Sequence, residues 1–504
     1  MPRRGRKSAP ESLKANLKPS ILSTGASWSP LKFSDVEKIA RTALHIISNV
    51  GVSDAPHELI TIIEKAGGNY RKGRLLFPEK LLMDTIQRGP KEILLAGQSK
   101  ENDLRVSGAN VYMGTGGASP NVFDPKTQKY EPSVLNDLYS AARLADALPH
   151  IQFFSRSLVA RDIENPKNFD LSTAVTSVLG TSKHVIVASS DAKHVNEIAK
   201  FCYEIAGSEE EFRKRPFLSI HANHIVPPLR IHADTIHVMD AAVDAGIPVH
   251  CNVFGQVGAS SPVTLAGSVA QTLAEVLAGL SFIHALDPNA PRIAGPRPMI
   301  VDLRTGGMAG GAGEQALVTS MAIQVLQFWQ LPCSVIAGAT DSKLIDFQSG
   351  YEKAITIQSS LQAGANLITQ AAGTQASLMG VGFGSMVADN DMLGAIHRAH
   401  VIPLVDDETL ASKAIGEVVR GEGHFLGREE TYSRMRSDFL YPEIADRTMI
   451  EEWERGAKLD MGQKAARKAK ELLRNHWPNH GPSDVREKYQ KKFKLECRDK
   501  YNQS

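Results

Sequence analysis

Between about residues 109 and 400, short apolar runs rich in β-branched residues alternate with longer amphipathic stretches, and this period limits the fold more than any other feature. The runs are Val111–Gly114, Ile151–Phe154, Val185–Ala188, Phe217–His221, Val249–Phe254, Ser281–His284, Val335–Ala337 and Leu367–Gln370. Most start about 30–35 residues apart, the length of one strand–helix unit. The stretches between them carry helical stripes, as in Asp191–Ala206 and in Leu229–Ala245 with its stop at Gly246. Eight such units predict an α/β chain folded as a (β/α)8 TIM barrel. An open doubly wound sheet would be favoured by a GxGxxG turn after the first strand, and Gly114-Thr115-Gly116-Gly117-Ala118 lacks that spacing.

The flanks read differently. Residues 31–108 form a mainly helical N-terminal segment: Val36, Ile39, Ala40, Ala43, Leu44 and Ile47 make one stripe, opened by a cap-like Ser34, and Ala55–Gly67 makes another. Arg74–Phe77 reads as a strand. After the barrel, Pro403–Val419 and Glu429–Asp446 read as helices of a 401–460 segment packed on it. Residues 461–504 read as a charged helical tail, broken at Trp477–Pro482 and expected to stay out of the core. Residues 1–30 read as a basic, flexible start, with Arg3, Arg4, Arg6, Lys7 and Lys14.

Composition excludes several classes. Lys and Arg (57) nearly balance Asp and Glu (55), which gives no electrostatic reason to expect a nucleic-acid partner. Four cysteines without a CxxC pair are no disulfide framework and fit a reducing compartment. No signal-peptide core and no uncharged apolar stretch of about 18 residues is present, so a cytoplasmic protein with no membrane partner is expected. A homo-oligomer is also expected.

In a barrel, chemistry gathers at the C-terminal strand ends and the loops after them. The fourth strand ends His221-Ala222-Asn223-His224, the fifth runs His250-Cys251-Asn252-Val253-Phe254, the sixth ends at His284, the seventh leads to Asp341, and the eighth ends near Gln370. So many polar groups at positions that should be buried call for a cavity holding water or ligand. His221, His250 and Asp341 are the candidate catalytic residues. Zinc is the first alternative, but His221 and His224 come without an HExxH or Cys–His spacing, so no metal is expected. Gly295–Glu314 is rich in glycine and has no Lys-Ser/Thr after it, which argues for close backbone approach to a bulky planar ligand or partner and against a phosphate cradle. Lys343 leaves open a Schiff-base lyase.

At this loop the chain resembles the trimethylamine methyltransferase family. The resemblance rests on Met299-Ile300-Val301-Asp302-Leu303-Arg304-Thr305-Gly306, Ala309-Gly310-Gly311, Gly313-Glu314, Gly338-Ala339-Thr340-Asp341-Ser342-Lys343 and Asp346–Lys353, and runs from about Leu31 to Asp446. It implies a barrel fold and methyl transfer to the cobalt of a separate corrinoid (cobalamin-type) protein. No DxHxxG corrinoid-binding run occurs in this chain. Members acting on trimethylamine carry pyrrolysine, whereas this sequence has only the twenty standard residues. It is therefore similar to the quaternary-amine demethylases, with glycine betaine as first substrate and trimethylamine, carnitine or proline betaine as alternatives. A non-catalytic betaine-binding protein is a further alternative. The implied substrate contacts are Tyr112, Phe154, Phe254, Phe347 and Tyr351 as aromatic faces, Asp302 or Asp341 for charge, and Arg304, His224, Asn252 and Gln370 as polar partners. Gly306, Gly307, Gly310, Gly311 and Glu314 are the implied corrinoid-docking residues. Gly373–Ser385 is expected to be a substrate-specificity loop.

Overall fold

The computed structural model describes residues 23–25, 28–421 and 423–496. The basic stretch Met1–Lys14 and Cys497 lie outside the described residues. Eight parallel strands carry the architecture: β1 (Asn110–Met113), β2 (Phe153–Ser155), β3 (His184–Ala188), β4 (Leu218–Asn223), β5 (Val249–Gln256), β6 (Arg292–Met299), β7 (Ser334–Ile336) and β8 (Leu367–Thr369). Strands β2 to β6 form one parallel sheet, curled in chain order. The second sheet holds β7, β8 and β1 in parallel, with Ser23–Thr24 antiparallel on its edge. Single parallel bridges, Gly114↔Phe153 and Ala294↔Cys333, link the edges of the two sheets.

Each strand is followed by a helix: α1 (Leu135–Ala147), α2 (Pro166–Gly180), α3 (Ala192–Ala206), α4 (Ala233–Asp244), α5 (Leu265–Leu286), α6 (Gly313–Phe328), α7 (Phe347–Ala363) and α8 (Phe383–Ala399). Local chemistry sets several boundaries. Asp191 caps α3 by accepting from the Lys193 N–H, and Gly207 at φ 91° ends it. Asp346 and Gly364 do the same for α7. Helix α4 starts later than its apolar stripe suggests, because Arg230–Ile231 pair with Ile225–Val226 in a small hairpin. Helix α5 is long and apolar enough to cross a membrane by length and composition, but 83% of its most apolar window is buried inside the protein. The cysteines Cys202, Cys251 and Cys333 are free and buried.

The sixth strand differs from expectation. Ser281–His284 is not a strand but the end of α5, and the strand is Arg292–Met299. Two prolines and two arginines hide it, since proline in a central strand removes a ladder donor. Here the loss is harmless. Ala294 donates to Pro332 O, just ahead of β7, and Pro296 and Pro298 follow at the same parity, where no ladder bond to β7 is made. His284 accordingly sits away from the strand ends, with Arg292 Nη2 donating to its Nδ1 at 2.8 Å. The first residues of the glycine-rich stretch, Gly295–Met299, belong to this strand.

The interior of the curled sheet is closed at its N-terminal end by the hairpin Glu92–Leu95/Leu104–Ser107. Ile93, Leu95, Leu104 and Val106 pack there on Tyr112, Phe153, Ile186, Ile293 and Leu367 as a cluster separate from the main core between strands and helices. The N-terminal helix Phe33–His45 buries Val36, Ile39, Ala40 and Ala43 against α5; Lys32, not Ser34, is its N-cap.

The C-terminal segment also departs from expectation. Helix α9 (Met461–Asn475) joins the core, burying Ala465, Ala469 and Leu473, one face at i, i+4 spacing, against α8 and α1. Fully buried Arg143 of α1 donates to Leu473 O and His476 O at 2.6 Å and lies under the Trp477 ring. The Trp477–Pro482 break is thus a corner leading into α10 (Ser483–Phe493). Between α8 and α9, helix among the described residues is limited to Ser412–Arg420, Glu429–Ser437 and Ile450–Arg455.

Candidate active site

A chain of hydrogen bonds runs up the sheet interior. His184 Nδ1 lies 2.9 Å from Ala96 O, its Nε2 2.8 Å from Ser219 Oγ, and Ser219 Oγ 2.9 Å from His250 Nε2. A carbonyl only accepts, so His184 carries its proton on Nδ1 and accepts the Ser219 hydroxyl at Nε2. Ser219 must then accept from His250, which places the His250 proton on Nε2 and leaves Nδ1 bare. Burial supports neutral rings: it pushes His184 down to about 4, and His221 and His250 well below 6.5. His221 packs edge-on against His250, ring centroids 5.0 Å apart. His250 Nδ1 and His221 Nε2 are buried without a partner among the described residues.

Above these rings sits a cation that the sequence reading missed. Arg297 of β6, only 4% exposed, spans three strands. Its Nη2 donates to Asn252 Oδ1 (3.0 Å) and Ser334 Oγ (3.4 Å), and its Nη1 to Thr369 Oγ1 (3.2 Å). Every acceptor is uncharged. Burial pushes its pKa down to about 9, so it remains a cation at neutral pH. Gly295 makes room for the contact: a Cβ there would lie 2.0 Å from Asn252 Oδ1. Arg156, just past β2, is a second enclosed guanidinium, held down by burial and raised by Asp170. The signal for Arg297 was a charged residue inside a strand, lost because the prolines masked the strand itself.

Other candidates separate by location. Phe254, half-buried, stands in register with Arg297 near the open end. Gln370 directly follows β8 with φ 66°, and its Oε1 is buried without a partner among the described residues. Tyr112 lies at the closed end, bonded through its hydroxyl to the Arg105 N–H (3.1 Å). Phe154 faces the outer core. His224 points away from the interior: its Nε2 donates to Glu275 O of α5 (3.0 Å), and a Cβ on Gly279 would come within 2.5 Å of the ring. Arg304 is exposed and paired with Asp302 at 2.8 Å. Phe347 and Tyr351 form a solvent-facing aromatic pair, centroids 5.6 Å apart, with Phe347 87% exposed.

Asp341 ties the rim together. Its Oδ1 accepts from Ser377 Oγ (2.8 Å) and the Gly310 N–H (3.2 Å), and burial raises its pKa. Glu352 accepts from Thr340 Oγ1 (2.5 Å) and the Asp341 N–H (2.8 Å), with its side chain filling the space above Gly311. Gly306 and Gly307 are exposed on the loop, and Gly313 opens α6, followed by exposed Glu314. Among the described residues, no group of three or more His, Cys, Asp or Glu could hold a metal ion. Lys343 Nζ donates to Asp341 O on the surface (2.7 Å).

Comparison with known proteins agrees with this frame. A trimethylamine methyltransferase of Desulfitobacterium hafniense is 28% identical over 459 residues, covering 90% of this chain and 91% of that protein. A glycine betaine methyltransferase of the same species is 25% identical over 447 residues, covering 88% and 92%. The solved monomethylamine methyltransferase of Methanosarcina barkeri superposes with a TM-score of 0.51 at 12% identity, covering 90% of each chain. The trimethylamine methyltransferase (MTTB) family model matches residues 2–495, so the chain belongs to that family and is a methyltransferase of the methylamine and betaine type.

Proposed function

We propose that this chain moves a methyl group from a quaternary amine bearing a carboxylate, glycine betaine first, to the Co(I) of a separate corrinoid protein. We read the two linked sheets as one closed (β/α)8 barrel whose C-terminal mouth is the active site. The observation that carries the substrate class is Arg297: a buried cation whose bonds all go to neutral acceptors. An uncompensated buried charge is costly, and an incoming carboxylate would neutralise it. Because Arg297 takes Asn252 Oδ1, Asn252 has its Nδ2 donors left for the same carboxylate, and Arg156 adds positive potential. Trimethylamine has no group for these donors.

The reaction needs little proton chemistry from the chain. A quaternary nitrogen leaves as a neutral tertiary amine, so no general acid is required, in keeping with histidines held neutral by burial. The corrinoid supplies the nucleophile. The chain's work is to clamp the carboxylate at Arg297 and Asn252, orient the N–CH3 bond toward the mouth, and exclude water. Phe254 offers the cation a π face. His221 and His250 act as fixed neutral walls, and Asp341 holds the rim loops in place.

The rim fits a flat partner. Gly313 opens α6 with an ordinary backbone, and a Cβ there would meet nothing within 4 Å, which leaves room for a partner to approach closely. Gly306, Gly307, Gly310, Gly311, Glu314 and the Phe347–Tyr351 pair extend that docking face. Exposed Ile402, Leu404, Val405, Leu426 and Ile450 support a homo-oligomer.

The test is an anaerobic mixture with the corrinoid protein in its Co(I) state and one amine at a time. Loss of the Co(I) absorbance with dimethylglycine formed from glycine betaine supports the reading. Turnover of trimethylamine with none of any carboxylate-bearing amine would sink the substrate class.

A further inference from the structure

In the loop after β8, Ala376, Ser377 and Leu378 take φ of 51°, 54° and 71° in succession. Every other side-chain-bearing residue with positive φ among the described residues stands singly. L-residues visit this region one at a time because Cβ crowds the carbonyl that follows. Three in a row must be held from outside the turn. The holders are three consecutive residues of the loop after β7. The Ala376 N–H donates to Ser342 O (2.8 Å), the Ser377 N–H to Thr340 O (3.0 Å), and Ser377 Oγ to Asp341 Oδ1 (2.8 Å). Behind the turn, Gln375 pairs with Gly380, and Asn121 Nδ2 donates to Met379 O (2.8 Å). Glycine would take this backbone without strain, and the chain uses it three residues earlier, at Gly373 with φ 87°. A serine in the middle of the turn is therefore best explained by its hydroxyl.

That hydroxyl leads to the rim. Asp341 Oδ1 accepts Ser377 Oγ from the loop after β8 and the Gly310 N–H (3.2 Å) from the loop after β6, so one oxygen joins three successive loops. Ser377 is the sole side-chain donor to this carboxylate among the described residues. The charges nearby do not replace it. Glu352 of α7 bonds the Asp341 N–H (2.8 Å) and repels the carboxylate, while Lys343 is turned to the Asp341 carbonyl (2.7 Å). Farther along the β6 loop, Arg304 and Asp302 pair with each other.

We propose that Ser377 is a positioning residue for methyl transfer: its hydroxyl, presented by the left-handed turn, fixes Asp341 and through it the Gly310 backbone on which the corrinoid protein docks. This rests on the reading of the rim as the docking face. It carries a pH signature. Burial pushes the Asp341 carboxyl upward, the Ser377 hydroxyl opposes that rise, and Glu352 adds to it. A hydrogen bond to the anion favours the anion, and a protonated carboxyl accepts more weakly. Docking should therefore weaken on the acid side, and at higher pH once the hydroxyl is gone.

Steady-state methyl transfer to the corrinoid protein, measured across pH with whichever amine is turned over held saturating, tests this. In Ser377→Ala the KM for the corrinoid protein should rise about ten-fold with kcat nearly unchanged, and the acid limb should move up by about one pH unit. Ser377→Gly also lacks the hydroxyl but relieves the turn. It should melt about 1 °C above Ser377→Ala and share its kinetic defect. An acid limb that stays in place, or a defect in Ser377→Ala that Ser377→Gly cures, would overturn the proposal. Gly313→Phe, assayed alongside, separates the two readings. A raised KM there with Ser377→Ala unchanged sinks the positioning role alone, and no change in either variant removes the docking face as well.

Discussion

Replacing Arg297 with methionine keeps an unbranched chain in the same slot and removes the cation that the substrate carboxylate is proposed to meet. Truncating one partner of a buried, hydrogen-bonded charge pair costs about 2–5 kcal/mol. At about 1.4 kcal/mol per ten-fold, kcat/KM for glycine betaine should fall between about 30-fold and about 4,000-fold. Stability should move far less. The free enzyme carries the cost of burying this guanidinium, seen in its pKa of about 9, and the variant relieves it. In exchange, Asn252, Thr369 and Ser334 each lose a donor, at about 1 kcal/mol apiece. The two effects oppose, and the net change should stay within about 2 kcal/mol. Steady-state demethylation with the corrinoid protein, alongside calorimetric melting with and without glycine betaine, reads both. Betaine should raise the melting temperature of the wild type and not of the variant. Tetramethylammonium, a quaternary amine without a carboxylate, should lose little from the substitution. Full kcat/KM with glycine betaine in Arg297→Met would refute the carboxylate clamp.

Ser219→Ala should break the relay between His184 and His250, destabilise the fold by about 1–3 kcal/mol and release the His250 tautomer; in the wild type, nitrogen-15 spectra of labelled histidine should show His250 protonated on Nε2 alone from pH 5 to 8, and a ring titrating near 6.5 would contradict the assignment. The same neutral rings predict a pH dependence of stability. His184, His221, His250 and His397 have folded pKa values below that of the unfolded chain, so the unfolded state binds more protons below about pH 6.5 and stability falls as pH drops. With folded values of about 4 and about 3, His184 and His397 of α8 each contribute roughly 1 kcal/mol of that loss by pH 5.5, and His221 and His250 act in the same direction, so a melting temperature unchanged from pH 7.5 to 5.5 would rule out neutral burial. Gly313→Phe places a ring in open space at the rim and should raise the KM for the corrinoid protein about ten-fold or more while leaving the heat of betaine binding unchanged; an unchanged KM would remove the rim from the docking face. Val405→Glu combined with Leu426→Glu should reduce the mass measured by light scattering if these exposed side chains hold copies together, and an unchanged mass would move the interface elsewhere.

Much of the frame was legible in the sequence because burial imposes periods on it. A strand covered on both faces reads as a short β-branched run, and a helix with one buried face repeats at about 3.6 residues, so seven of the eight strands and helices such as Ala192–Ala206 could be placed by inspection. His221, His250 and Asn252 followed, because strand parity sends alternate residues inward. What local pattern could not settle was the identity of the neighbours. Arg292–Met299 does not look like a strand, and only the end of its ladder past Ala294 explains why Pro296 and Pro298 are harmless there; with that strand hidden, Arg297 was hidden too. His224 and Phe154 belong to strand-end and strand positions whose side chains turn outward, which depends on the pairing partners and on the packing of Gly279. Helix α9 reads as a charged tail until α8 and α1 supply the surface that its one apolar face covers. Sequence determined the repeating unit, because hydrogen bonding and burial within a unit are local. Tertiary structure decided which polar groups meet, because a guanidinium bonded across three strands and a histidine relay spanning three exist only once the sheet has curled.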